Sequence, residues 1–256
     1  MSGAPTLSIE ALNKSFGALR VLVDVDLSVA AGERRVLIGP NGAGKTTLFN
    51  VVTGLLAADS GSITMLGHDI TRLPTHRRVS LGLARTFQIT ALFPNLTLRR
   101  NLLLALQGCS RTKFSMLRPM SAQAQLLGPA EELLEQWDMA DQRDALVKEL
   151  SYGEQRQVEI LLAIAQRPKL LLLDEPTAGL SPAETARVVE VIRALPRELT
   201  MLLIEHDMDV AFQLADTISV LHMGQVLVTG DRQTVQLDQR VREIYLGQVA
   251  EKLALS

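Results

Sequence analysis

Cysteine is nearly absent: Cys109 is the only one in 256 residues. No internal disulfide can form, a reducing compartment is the natural setting, and the lone thiol reads as filler rather than nucleophile. Long apolar runs are missing as well. The longest uninterrupted one is Ile160 to Ala165, far short of the roughly 20 residues that cross a bilayer. The N-terminus, Met1-Ser-Gly-Ala-Pro-Thr6, has neither a basic nor an apolar leader region, so no export signal is expected. Aromatic residues are scarce at 4%, which favours aliphatic helix-on-sheet packing over an aromatic-rich β-sandwich. Charge of one sign is not in excess either. Twenty-six basic against 28 acidic residues leave −2, and without a global positive field neither nucleic acid nor anionic lipid is an expected partner.

What is present is a globular composition, 47% hydrophobic and 21% charged, long enough for one elaborated α/β domain or a core with a subdomain. Leu7 to Leu12, Val25 to Val29 and Gly61 to Leu66 alternate apolar and polar residues, the period of half-exposed strands, and predict an N-terminal antiparallel layer. Arg35 to Ile38 is a short apolar strand that runs into a Gly-rich loop and a helix over Lys45 to Thr53. Pro74 starts a basic helix. From about Ile89 to Arg167 the chain turns Leu-rich with helical spacing over 97–106, 129–137 and 152–166, while 107–128 reads as an exposed loop. Leu170 to Leu173 and Met201 to Ile204 are wholly apolar and separated by a helix over Pro182 to Leu195, the pattern of buried parallel strands with a crossover. A hairpin over Thr217 to Thr229 and an amphipathic tail end the chain.

The chemistry concentrates in a few segments. Gly39, Pro40, Asn41, Gly42, Ala43, Gly44, Lys45, Thr46 and Thr47 fit the phosphate-loop pattern G-x-x-x-x-G-K-[ST], set between a strand and a helix. Glycines let backbone N–H groups approach phosphate oxygens, and the helix N-terminus adds its positive end. Lys45 would then bridge β- and γ-phosphates, and Thr46 would ligate Mg2+. Asp174 and Glu175 close the apolar strand from Leu170, at the C-terminal end where ligands sit in parallel α/β sheets. Asp174 suits the Mg2+ shell, and Glu175 suits polarising the water that attacks the γ-phosphate.

Leu150-Ser151-Tyr152-Gly153-Glu154-Gln155 resembles the signature motif of ATP-binding cassette ATPases, and it precedes the Asp-Glu strand as in that family. Thr86-Phe87-Gln88 resembles its Q-loop, and His206 its switch histidine. Phe16, 23 residues before Gly39, stands where an adenine-stacking aromatic is usual. The resemblance covers nearly the whole chain. Within the family, Leu83 to Gln88, Leu150 to Glu154, Glu205 to Met208 and Glu243 to Gly247 look most like the ATPase of bacterial branched-chain amino acid importers, whose relatives serve urea and short amides. Two positions depart from the family pattern: Tyr152 replaces a commoner Gly, and Ser181 stands where Asp is usual, although a hydroxyl cannot replace a carboxylate's charge-assisted bonds.

The physics of these motifs stands beside the resemblance. Ser151 and Gly153 form an anion site at a helix N-terminus that has no lysine of its own, so a head-to-tail dimer would satisfy two half-sites under two-fold symmetry. Ser151 is also a plain N-cap, with Glu154 completing a capping box. His206 is either a satisfied core or turn histidine or a hydrogen-bond donor to the γ-phosphate. Gln88, between core and helical subdomain, can contact Mg2+ or water and couple nucleotide state to subdomain rotation. Phe16 either stacks on adenine or packs beside Leu12 and Leu19, and Phe93 either lines a groove for a permease helix or packs the subdomain's own core.

The resemblance implies an α/β fold: a P-loop NTPase core with a parallel sheet, an N-terminal antiparallel β layer and an inserted helical subdomain. The expected division is 1–88 and 168–256 for the core and 89–167 for the subdomain. It implies an ATPase that needs ATP and Mg2+ and dimerises with itself or a paralogue. The dimer would drive integral-membrane permease subunits from the cytoplasmic face and serve, at one remove, a periplasmic solute-binding protein. A soluble cassette switch acting in translation or DNA repair would call for twin cassettes or a basic arm, and a small-molecule phosphotransferase would leave Gln88, His206 and the signature without a use.

Overall fold

The computed structural model describes residues 4–86, 92–108 and 121–245, with side chains in the last span from 125 onward. In chain order the elements are β1 (Leu7–Phe16), β2 (Leu19–Val29), β3 (Arg34–Ile38), α1 (Lys45–Thr53), β4 (Ser60–Met65), β5 (His68–Asp69), α2 (Thr75–Ser80) and β6 (Leu83–Arg85). Then come α3 (Leu98–Gly108), α4 (Ser121–Gln136), α5 (Tyr152–Ala165), β7 (Leu170–Asp174), α6 (Pro182–Ala194), β8 (Thr200–Ile204), α7 (Met208–Leu214), β9 (Thr217–His222), β10 (Gln225–Gly230) and α8 (Arg232–Leu237).

Two sheets organise the described residues. The larger has the order β10-β9-β3-β8-β7-β6, parallel from β9 to β6 and closed at one edge by the antiparallel hairpin strand β10. The smaller, β2-β1-β4-β5, is antiparallel, as the alternating N-terminal segments predict. Every residue of β3, β7 and β8 is buried, so Val36 to Ile38, Leu170 to Leu173 and Met201 to Ile204 read as unbroken apolar runs and not as alternating ones. Alternation survives in what each face meets. Leu170 and Leu172 pack with Leu48, Phe49 and Val52 of α1 and with the small sheet, while Leu171 and Leu173 pack with α6 and α7. The phosphate-loop helix is thereby sandwiched between the two sheets.

A third cluster joins Leu98 and Leu102 of α3, Ala130 and Leu134 of α4, and Val158, Leu161 and Ala165 of α5. Helix α5 serves two layers, because Ile160 and Ala163 face the parallel sheet.

The exposed loop expected over 107–128 needs correction. Helix α3 runs through Gly108, and α4 begins at Ser121 rather than at Pro129, which lies inside it. Gly128-Pro129 reads as a breaker, yet the Ala, Gln and Leu around it favour helix, and burial of Ala130 and Leu134 outweighs one missing backbone bond. Residues 109–120, with Cys109, lie outside the described residues, as do 87–91 with Gln88, Ile89, Thr90 and Ala91. Among the described residues no helix is long and apolar enough to cross a membrane.

Candidate nucleotide site

Strand β3 ends at Ile38 and the chain turns at once into the loop that wraps the start of α1. Gly39 and Gly44 have φ of 153° and 106°, and a Cβ would meet the Leu221 carbonyl oxygen at 2.1 Å and the Val21 carbonyl oxygen at 2.8 Å respectively. Only glycine fits there. Helix α1 starts with no side-chain cap and no acidic residue in its first turn, so its N-terminal positive end is left for another anion. Lys45 is its first residue and is buried; its Nζ donates to the carbonyls of Gly39 at 2.6 Å and Pro40 at 3.0 Å, folded back over the loop. Burial pushes the Lys45 ammonium below the ordinary lysine range, and Glu175 and Asp174 oppose that shift. Thr46, Asn41 and Gly42 are exposed around it.

Asp174 closes β7 in register with Ile204 of β8. One carboxylate oxygen, Oδ2, accepts from Arg85 Nη2 at 2.6 Å; the other, Oδ1, is buried without a hydrogen-bond partner. Glu175 follows in the left-handed region, φ 48°, with its N–H on the Ile204 carbonyl at 3.0 Å. A non-glycine residue there is strained, and the bend turns its carboxylate toward His206, whose Nδ1 lies 3.8 Å from Oε2. His206 is half exposed just past β8, so it is not a core histidine. Lys45, Asp174, Glu175 and His206 thus converge from α1, β7 and the end of β8, as adjacent parallel strands allow.

A chain-only reading misses Glu205. It is fully buried at the end of β8, and both its oxygens accept from Thr177 Oγ1, at 3.1 and 3.2 Å, tying the loop after Glu175 to the segment before His206. Burial pushes its carboxyl up to about 7, helped by the charge of Glu175. The folded protein therefore holds this proton more tightly than the unfolded chain. The resulting stabilisation is complete below the ordinary carboxyl value of 4.5 and is lost as pH rises through about 7. A shift of that size corresponds to roughly 2–4 kcal/mol. Glu205→Gln is expected to melt several degrees above the wild type at pH 8.5 and to lose most of that advantage at pH 5; a difference that does not change with pH would refute the buried proton.

The signature residues stand on another element. Ser151 caps α5: its Oγ accepts from Glu154 N–H at 3.3 Å, and Glu154 Oε2 accepts from Ser151 N–H at 2.7 Å, the reciprocal box legible in the sequence. Gly153 N–H donates to Glu184 Oε1 at 3.2 Å, and the same carboxylate accepts from Ser181 N–H and Oγ. Ser181 therefore caps α6 with its own S-x-x-E box, which the chain shows plainly once α6 is drawn from Pro182. Phe16 ends β1 about half exposed, with Lys14 Nζ 5.6 Å from its ring centre, so the core alternative fails for it. Gln88 lies outside the described residues, and Thr86 before it is buried with its N–H on the Leu172 carbonyl.

Among the described residues no group of three or more His, Cys, Asp or Glu could hold a metal by itself. A magnesium ion shared with nucleotide phosphates needs only one or two protein donors. The orphaned, buried Asp174 Oδ1 and the exposed Thr46 hydroxyl at the start of α1 fit that demand.

A glycine-lined loop feeding a helix beside a parallel sheet, with an Asp-Glu pair at the end of the strand one removed, defines a phosphate-loop NTPase. The sequence profile of the ABC transporter family matches residues 22–178. The lipopolysaccharide export system ATP-binding protein LptB of Haemophilus influenzae is 36% identical over 243 residues, covering 94% of this chain and 97% of its own. The high-affinity branched-chain amino acid transport ATP-binding protein LivG of Escherichia coli K12 is 36% identical over 251 residues, covering 95% and 98%. The crystal structure of the ADP conformation of an ATP-binding cassette of an ABC transporter superposes with a TM-score of 0.82 at 30% identity, over 96% of this chain and all of that one. The chain belongs to the ABC transporter family, as an ATP-binding and ATP-hydrolysing motor subunit with the ABC ATPase fold. Cassettes of this family work as dimers with membrane permease subunits.

Proposed function

We propose that this chain powers the import of branched-chain amino acids, as a dimer seated on the cytoplasmic face of two permease subunits that receive solute from a periplasmic binding protein. Full-length similarity to LivG, and to BraF of Pseudomonas aeruginosa at 35% identity, supports the substrate class. The equal identity of LptB keeps an export role as the competing reading. Uptake of labelled leucine in a deletion strain separates them: loss of uptake restored by this chain supports import, and normal uptake with a defective envelope supports export. Retained leucine uptake with lost urea or short-amide uptake would move the substrate to the related importers.

The observation that carries the ATPase mechanism is the convergence of Lys45, Asp174, Glu175 and His206. In this reading Gly39 to Thr47 cradle the phosphates, Lys45 trades its two loop carbonyls for phosphate oxygens, and Phe16 stacks on adenine. Thr46 and Asp174, with Gln88, would hold Mg2+, which when bound offsets charge on the β- and γ-phosphates. Glu175 takes the proton from the attacking water, and His206, whose Nδ1 lies 3.8 Å from the Glu175 carboxylate, donates to the γ-phosphate. Ser151, Gly153 and Glu154, a half-site with no lysine of its own, cover the nucleotide bound by the other copy's phosphate loop. Residues 89–167 would act as the moving subdomain.

Between core and helices lies a cavity of about 290 Å³, lined by Thr86, Leu92, Phe93, Leu104 and Leu162 among others. Leu92 packs on the helical cluster, but Phe93 is 56% exposed, which disfavours the packing alternative and suits a permease helix laid into the groove. Phe93→Asp is expected to abolish co-purification with the permease and uptake, while isolated ATPase activity stays within about twofold of the wild type. Normal association and uptake would remove this surface from the interface.

A further inference from the structure

Arg85 is charged, almost wholly enclosed and placed against the nucleotide site, yet it has been given no role above beyond its place in the Leu83 to Gln88 run. It is the last residue of β6, an edge strand whose pairing with β7 sets Arg85 opposite Leu172, two residues before Asp174. Its side chain is 6% exposed and that of Asp174 1%, and their ion pair is 2.6 Å long. The other nitrogen, Nη1, donates to Asn50 Oδ1 at 2.7 Å, and the guanidinium lies 5.5 Å from the centre of the buried Phe49 ring. One planar group therefore ties β6, β7 and α1 together.

This arrangement selects between the two oxygens of Asp174. A carboxylate turns easily about its last bond, which exchanges its oxygens. With Oδ2 held by Nη2, Oδ1 is the oxygen left unpaired in the site. The anchor on the far side has a matching geometry: Asn50 is four residues after Thr46 on α1, so the two share one face of that helix. The guanidinium thus sets the spacing between the helix that carries the Thr46 hydroxyl and the strand that carries Asp174, and it pairs directly with a carboxylate that is otherwise buried.

We infer that Arg85 is a positioning residue for the metal–nucleotide site, acting through Asp174: it pins Oδ2 so that Oδ1 faces the divalent cation. The inference rests on the assignment of Asp174 to the Mg2+ shell proposed above. A supporting group of this kind is worth about 10- to 100-fold in metal affinity.

The test uses the full chain and a fluorescent ADP analogue, titrated with Mg2+ and, separately, held in EDTA. Asp174→Asn should raise the Mg2+ midpoint strongly. Arg85→Lys, which keeps the charge but not the fork, should raise it about tenfold and leave affinity in EDTA within about twofold. The double variant should be no worse than Asp174→Asn alone, because both act on one oxygen. If Arg85→Lys does not fold, Asn50→Ala replaces it; removing the acceptor that aims the guanidinium should raise the midpoint about threefold. A shift with Asp174→Asn but none with the folded Arg85 or Asn50 variant overturns this inference alone, as does an additive double variant. No shift with Asp174→Asn overturns the metal assignment beneath it.

Discussion

Glu175→Gln is expected to bind ATP with wild-type affinity and to hydrolyse it about 10³-fold more slowly, within the range contributed by a positioned base. The amide keeps the shape and hydrogen-bonding reach of the carboxylate but cannot take a proton from water. Nothing in the fold should suffer. The strained φ of 48° belongs to the backbone turn after β7 and is the same for either side chain. What changes is the negative charge 3.8 Å from His206 Nδ1, which is lost. Because closure of two copies around ATP would now outlast each turnover, ATP-bound dimers should accumulate. Light scattering with and without ATP, beside a phosphate-release assay, reads both effects; a variant that hydrolyses normally and stays monomeric contradicts the role and the dimer together.

Lys45→Ala is expected to lower ATP affinity by more than about 100-fold, since two or three phosphate charges then face a backbone nest with no fixed cation. Lys45 is buried and bonded to the Gly39 and Pro40 carbonyls at 2.6 and 3.0 Å, so it stands where the phosphates must lie instead of searching from solvent. Its truncation also removes the positive neighbour of Asp174 and Glu175. Lys45→Arg is the sharper control: it keeps the charge, but a planar fork does not fit a loop shaped for a point donor, so affinity should remain impaired. Calorimetric ATP affinity in a variant whose melting is unchanged measures this, and wild-type affinity would refute the phosphate-loop assignment.

The legible part of the molecule is the part written in contiguous residues. The run from Gly39 to Thr47 carries its own geometry, because the glycines, the helix start and the lysine are neighbours in sequence. Ser151 and Glu154 cap α5 through a three-residue spacing, and the apolar runs of β7 and β8 announce strands buried on both faces. The misread stretch, 121–128, failed because Gly128-Pro129 is a local signal for a turn, whereas the packing of Ala130 and Leu134 on two distant helices is not local at all.

Contacts across strands were out of reach for a different reason. Arg85 meets Asp174 across 89 positions, Thr177 meets Glu205 across 28, and Glu184 meets Gly153 across 31. No periodicity encodes such pairs; they follow from strand order and register. Taken alone, the chain determined the phosphate loop, the capped signature helix, the alternation of strand and helix, and the carboxylates at a strand end, since each depends on covalent spacing and local hydrogen bonding. The tertiary structure alone decided that Glu205 is buried with a raised pKa, that Phe93 is exposed, and that only Oδ1 of Asp174 is left unpaired in the site. Burial and charge pairing are set by which distant segments exclude water from one another, and that is known only once the sheets and helices have closed.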